Sequence, residues 1–166
     1  MKHVFVETNF LIDLLRPFPS KDAERLFARN DGITLRLYIP WCSQSEAWRT
    51  LNDRILKEDL GFTEAMMKFA VQRWRADRTL FDMKEVQKVE ALAKASRSAA
   101  LTSLEQRLQD AMAKMERIDP TPPVIARTLQ VFKVKSLKPF DEMVLGAVLS
   151  KATDLYAANE RELLRP

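Results

Sequence analysis

Four oxygen-bearing side chains, Glu7, Glu46, Asp141 and Asn159, stand where a hydrophobic run ends or a helical pattern opens. Val4-Phe5-Val6 stops at Glu7-Thr8-Asn9, and apolar residues then resume at helical spacing as far as Leu15. A buried parallel strand of this kind delivers its acid to the carboxyl edge of a sheet, where open α/β proteins bind ligands. Mg²⁺ takes a few carboxylates beside water and phosphate oxygens. One or two such ions activate water and stabilise the departing oxygen of a phosphodiester. Each residue alone has a plainer reading. Glu46 and Asp141 suit the first turn of a helix as dipole-favoured anions, Asn159 suits a turn, and Glu7 suits a polar strand end. The set, recurring in separated parts of the chain, is what points to chemistry.

The other residue types narrow that chemistry. His3 is the only histidine and Cys42 the only cysteine, so a histidine-based triad and a His/Cys zinc site lack their parts. Any metal ligands are then mainly oxygens, which selects Mg²⁺ or Mn²⁺. A single cysteine forms no internal disulfide and suits a reducing cytoplasm. No apolar run has the length of a membrane span, and no signal-peptide core opens the chain. The expected setting is cytoplasmic, with no membrane partner. The net charge is +4, and a surplus of 11 Lys/Arg over 7 Asp/Glu lies between Met66 and Arg117. Such a surplus is more often a solvated face than a binding surface. Arg73, Arg75, Lys84 and Lys88 are nevertheless candidates to position a nucleic-acid backbone.

These residues need elements to place them. A first helix, Asn9–Leu15, ends at Pro17 and Pro19. Ser20 then caps a helix over Lys21–Ala28, and Asn30-Asp31-Gly32 forms a turn. Ile33–Ile39 alternates as a second strand, stopped by Pro40 and parallel to the first across the helical crossover. Ser43 caps a helix to about Lys57, with Glu46 in its first turn. From 59 to 119 a helical hairpin is inserted, with Thr63 capping a helix to about Arg78 and a second helix from Asp82 to about Ile118. That second helix, ~54 Å if unbroken, breaks near Ser96–Ser98 or projects. Met66, Met67, Met112 and Met115 of the hairpin read as packing residues, and Met-rich helices also suit an adaptable contact with a homodimer partner or another protein. A helix over Val124–Phe132 follows, then one opened by Pro139. The latter has an apolar face of Val144, Leu145, Val148 and Leu149, with Gly146 and Ala147 close to the sheet. Of Asp141 and Glu142, Glu142 is expected to face solvent. A last strand, Asp154–Ala158, delivers Asn159. The expectation is one α/β domain over residues 1–166.

The segments VFVETNFLIDLL, YIPWCSQSEAWRTL, LKPFDEMVLGAVLSKA and DLYAANEREL, in this order, resemble the PIN-domain family. They bracket nearly the whole chain apart from the helical insertion. The resemblance implies a three-layer fold with a central parallel sheet between helices. It also implies a divalent-metal-dependent ribonuclease, similar to toxin components of bacterial toxin–antitoxin pairs. It places metal-binding acids at Glu7, Glu46 and Asp141, with Asn9 supporting Glu7 and Asn159 completing the catalytic set. It implies Mg²⁺ or Mn²⁺ as cofactor, RNA as substrate and an antitoxin or other protein as candidate partner. Two positions depart from the pattern: Glu7 stands where Asp is usual, and Ala157 where Ser or Thr is common. The chain also ends at Pro166, where one more strand is expected. These departures make a weakened PIN-like module, binding RNA or a protein without cleavage, the alternative function.

Overall fold

Three short strands form one parallel sheet in the order β1 (Lys2–Phe5), β2 (Leu35–Pro40), β3 (Glu116–Ile118). The computed structural model describes residues 1–76, 83–134 and 137–163. Parallel neighbours require long crossovers. The first crossover is α1 (Thr8–Leu15) with α2 (Lys21–Ala28), and the second is α3 (Trp41–Ala76) with α4 (Met83–Lys114). After β3 come α5 (Pro122–Val134) and α6 (Pro139–Leu163). The chain is therefore α/β, with helices predominating. It divides into two compact units, Met1–Trp48 with Asp110–Pro166, and Arg49–Gln109.

In the first unit the pairing register Lys2↔Leu35 through Phe5↔Tyr38 and Tyr38↔Glu116 through Pro40↔Ile118 fixes which side chains share a face. Leu37 and Ile39 point one way and are fully buried; Arg36 and Tyr38 point the other. Tyr38, 1% exposed, is the centre of that second face. Its ring lies 5.4 Å from Phe5, 5.6 Å from His3 and 5.1 Å from the Lys151 ammonium of α6. Its hydroxyl hydrogen-bonds His3 Nδ1 at 3.1 Å. Lys151 also donates to Glu116 at 2.5 Å, so one α6 cation joins β2 to β3. Tyr38, Ile118, Val124 and Ala147 form a core cluster, with Phe5 and Leu155 packed against it.

Several helix starts and stops are local chemistry. Ser20 Oγ accepts from Ala23 N at 3.2 Å, and α2 runs over Lys21–Ala28 as the cap implies. Asn30 and Asp31 do more than turn the chain. Asn30 receives Leu37 N and donates to Lys114 O at 2.7 Å, tying β2 to the end of α4. Asp31 accepts from the Thr34 hydroxyl and from the backbone N–H groups of Ile33, Thr34 and Leu35, while Gly32 takes φ +73°. The Thr34 bond first, and then those N–H groups, hold the Asp31 carboxyl well below the usual carboxylate range. Because its folded-state pKa is depressed, the contribution of Asp31 is present above the unfolded carboxylate value, about 3.9. It is lost as the pH falls below that and through the folded value. Thermal melts at pH 5 and pH 2 are expected to show a smaller loss for Asp31→Asn than for the wild type; equal losses would remove this role.

Four expectations about elements are corrected. The helix expected to end near Lys57 and the one expected to start at Thr63 are one continuous α3, with Gly61 inside it. A lone glycine costs only about 1 kcal/mol in a helix, too little to break a run without proline. Ser43 is inside α3, two residues past its start, and is not its cap. α4 passes through Ser96–Ser98 unbroken and ends at Lys114, so that Glu116–Ile118, expected as helix, is a strand. Asp154–Ala158, expected as a strand, is helical: α6 continues to Leu163, and Thr153 accommodates the helix by donating to Leu149 O at 2.8 Å. Gly146 also serves a different neighbour from the expected one, since it abuts Thr128 of α5 while Ala147 meets the sheet cluster.

Candidate functional site

The carboxyl edge of the sheet is where β1 hands over to α1 and β2 to α3. Glu7 occupies the N-cap position of α1, with extended backbone (φ −115°, ψ −177°), and its side chain makes no capping hydrogen bond. Glu7 and Asn9 are exposed, whereas Thr8 between them is buried. Thr8 Oγ1 donates to Glu46 Oε2 at 2.7 Å, which brings the end of β1 against the second turn of α3. Glu46 is half-buried, one carboxylate oxygen engaged by Thr8. One turn earlier on α3 lies Cys42, 3% exposed. Burial pushes its thiol above the ordinary value, and the Glu46 charge adds to that. Ser43 beside it is fully buried, with no partner for its hydroxyl among the described residues.

α6 runs away from this edge. Ala147 packs in the cluster with Ile118 at the carboxyl end of β3, whereas Lys151, one turn later, reaches Glu116 at its amino end. The first turn of α6, holding Asp141 and Glu142, therefore lies toward the carboxyl edge. Asp141 is exposed and Glu142 is 4% exposed, the reverse of the expected pair. The misplacement is physical. The helix turns its small residues inward (Gly146, Ala147 and Ser150 are buried), and Glu142 is one turn before Gly146 on that stripe. The bulkier Leu149, expected in the core, is 41% exposed.

Scans against models of known protein families, curated proteins and solved structures match nothing.

Asn159 does not join the acids. It is on α6, eighteen residues beyond Asp141, and at 1.5 Å per residue the two are ~27 Å apart. Ala157 is on the same remote stretch, so its departure from a Ser or Thr has no bearing on the edge where Glu7 and Glu46 sit. Among the described residues, no group of three or more His, Cys, Asp or Glu is placed to hold one metal ion. What the fold brings together is a Thr8–Glu46 pair beside Glu7, with the acids of α6 toward the same edge. Thr8 and Glu142 are the residues that sequence reasoning passed over. A hydroxyl directly after a strand-end acid was the available sign for the first, and the small-residue stripe for the second.

The expected basic contacts belong to the second unit. Arg73 and Arg75 are exposed in the last turn of α3, with the Arg73 guanidinium 5.5 Å from the Phe69 ring centroid. Lys84 and Lys88 are exposed in the first turns of α4, and each already has an interaction partner. No helix of the described residues is long and apolar enough to cross a membrane.

Proposed function

We propose that this chain is a PIN-like, divalent-metal-dependent ribonuclease whose candidate metal-binding acids are Glu7, Glu46 and Asp141. The observation that carries this reading is the Thr8–Glu46 hydrogen bond. It couples two separated motifs at the sheet edge where ligands bind in α/β proteins. The donor chemistry, carboxylates without histidine or thiolate, fits Mg²⁺ or Mn²⁺ and no softer ion. A bound ion of that type supplies an activated water and stabilisation of the leaving oxygen. The chain's own contributions are distinct from that. Thr8 holds one oxygen of the Glu46 carboxylate and so limits the freedom of that side chain. Glu7, uncommitted to capping, and Asp141, exposed in the first turn of α6, remain available as ligands. Arg73 and Arg75 contribute a salt-sensitive attraction for RNA phosphates.

Cleavage of a mixed RNA pool in Mn²⁺ tests the reading. Asp141→Asn is expected to lower the rate by at least about 100-fold, the scale on which loss of a metal-ligating charge acts. Equal cutting by both forms would discard the site, and no cutting by either would discard the enzyme. One observation favours a second reading, a PIN-like module that binds RNA or a protein partner, such as an antitoxin, without cleavage. With Asn159 ~27 Å from Asp141, the fourth position that the resemblance implied is vacated. Glu7→Asp separates the two: a gain in cleavage marks a weakened nuclease, and silence in both forms marks the binding module.

A further inference from the structure

The last three turns of α3 gather positive charge without any acid. Residues 65–76, about 18 Å of helix at 1.5 Å per residue, carry Lys68, Arg73 and Arg75 and no Asp or Glu, whereas the acids of this helix all precede Ala65. All three cations are exposed. Charge of this kind is ordinarily a solvated face; what sets this stretch apart is Phe69. Its ring is 51% exposed, and the Arg73 guanidinium lies 5.5 Å from the ring centroid. Phe69 and Arg73, one turn apart, thus form a cation–π pair already assembled at the surface. Lys68 and Arg75, seven residues apart, make a second line of charge that starts about 100° round the helix from the ring. We propose that this face binds single-stranded nucleic acid, with a base stacked on the Phe69–Arg73 pair and neighbouring phosphates on Lys68 and Arg75.

The chemistry of the two lines selects the partner. A nucleotide carries a π face at one end and a negative charge at the other. Bases of single strands stack on aromatic rings and on guanidinium planes, while basic side chains track their backbone. A duplex stacks its base faces against one another and offers phosphates and sugars, which leaves the ring without a role. An anionic membrane calls for one apolar stripe with the cations on the other face. Here Met67 and Val71, also exposed, stand about 200° round the helix from Phe69, and Arg73 lies over the ring itself. The inference deepens the ribonuclease reading by naming the form of its substrate, and it rests on that reading only in taking the strand to be RNA. Every residue in it belongs to Arg49–Gln109.

Fluorescence anisotropy of the full chain with a labelled, unpaired RNA of about twelve nucleotides decides it, in chelator so that no strand is cut. The single strand is expected to bind more tightly than a duplex of the same length. Phe69→Ala is expected to weaken binding about 10-fold, the share of one stacked base, with the salt slope and helical circular dichroism unchanged. Phe69→Trp, which keeps a π face, is expected to retain wild-type affinity. Arg75→Gln is expected to flatten the log–log salt dependence by about 0.7, the loss of one phosphate contact on a single strand. Phe132→Ala, which removes an exposed ring from α5 in the first unit, is expected to change nothing. A wild type that binds no single strand at about 50 mM salt overturns the inference. Wild-type affinity in Phe69→Ala overturns it too, as does equal affinity for the duplex. Capture of an anionic phosphatidylserine vesicle through Phe69, with no affinity for RNA, also overturns it. The nuclease reading fails separately: a chain that binds in this way and cuts nothing in Mn²⁺ keeps the inference and discards the enzyme, whereas one that cuts while Phe69→Ala binds unchanged discards the inference alone.

Discussion

Gly146→Ala is expected to destabilise the protein by about 3 kcal/mol, although alanine is the better helix former by about 1 kcal/mol. A Cβ at Gly146 would stand 2.6 Å from Thr128 Cα and closer still to the Thr128 hydroxyl. Thr128 is itself locked, 9% exposed and donating to Val124 O at 2.9 Å, so it has no room to turn aside. The α5 backbone is what the methyl group meets, and only a movement of one helix away from the other relieves that. The separation would also loosen the core shared by Val124 of α5 and Ala147 of α6. For a domain of this size, the loss corresponds to a fall of roughly 6–12 °C in Tm. A Thr128→Ala second change is expected to recover only part of it, because the added methyl group still collides with the α5 main chain. A Gly146→Ala protein as stable as the wild type would mean that α5 and α6 do not approach this closely.

Tyr38→Ala is expected to cost about 4 kcal/mol, within the range for deleting a buried aromatic ring. The ring is 1% exposed and is the common neighbour of His3, Phe5 and Lys151. Its removal leaves a void against Ile118 and Ala147 and takes the aromatic face from beneath the Lys151 ammonium. Tyr38→Phe keeps the ring and loses only the His3 hydrogen bond, a change of about 1 kcal/mol. Urea unfolding of the three proteins measures the difference. A gap under about 1 kcal/mol between the alanine and phenylalanine forms would show that the α6 face of the sheet is not a core.

What could be read from the residues was what neighbouring residues decide. Ser20 with its helix, the stop after Leu15 before two prolines, and the turn at Asn30-Asp31-Gly32 are local, and the structure has them. The parallel pairing of β1 with β2 follows from the crossover between them. β3 is different. Its three residues carry no turn residue before them, and only pairing with Tyr38, Ile39 and Pro40 makes them a strand. The strand expected at Asp154–Ala158 is instead the continuation of α6, since Ala and Leu without Gly or Pro favour continued helix. The exchange between Asp141 and Glu142 has a subtler cause. Adjacent helical residues point about 100° apart, and which one turns inward depends on which stripe of α6 faces its neighbours. Close approach to Thr128 puts the glycine stripe inside, and the leucines that hydropathy favours are displaced outward. Of the candidate site, Glu7 and Glu46 were legible because strand ends and helix starts mark them; their link through Thr8 is tertiary.

The position of α3 and α4 between β2 and β3 has a consequence for how the sheet comes into being. Tyr38 and Glu116 are register partners in the sheet with both long helices between them in sequence. Contacts between positions so far apart must repay the entropy of closing the intervening chain before they give any stability. Joining β1 to β2 closes the shorter stretch of chain, spanned by α1 and α2 alone, and so carries the smaller entropic cost of the two pairings.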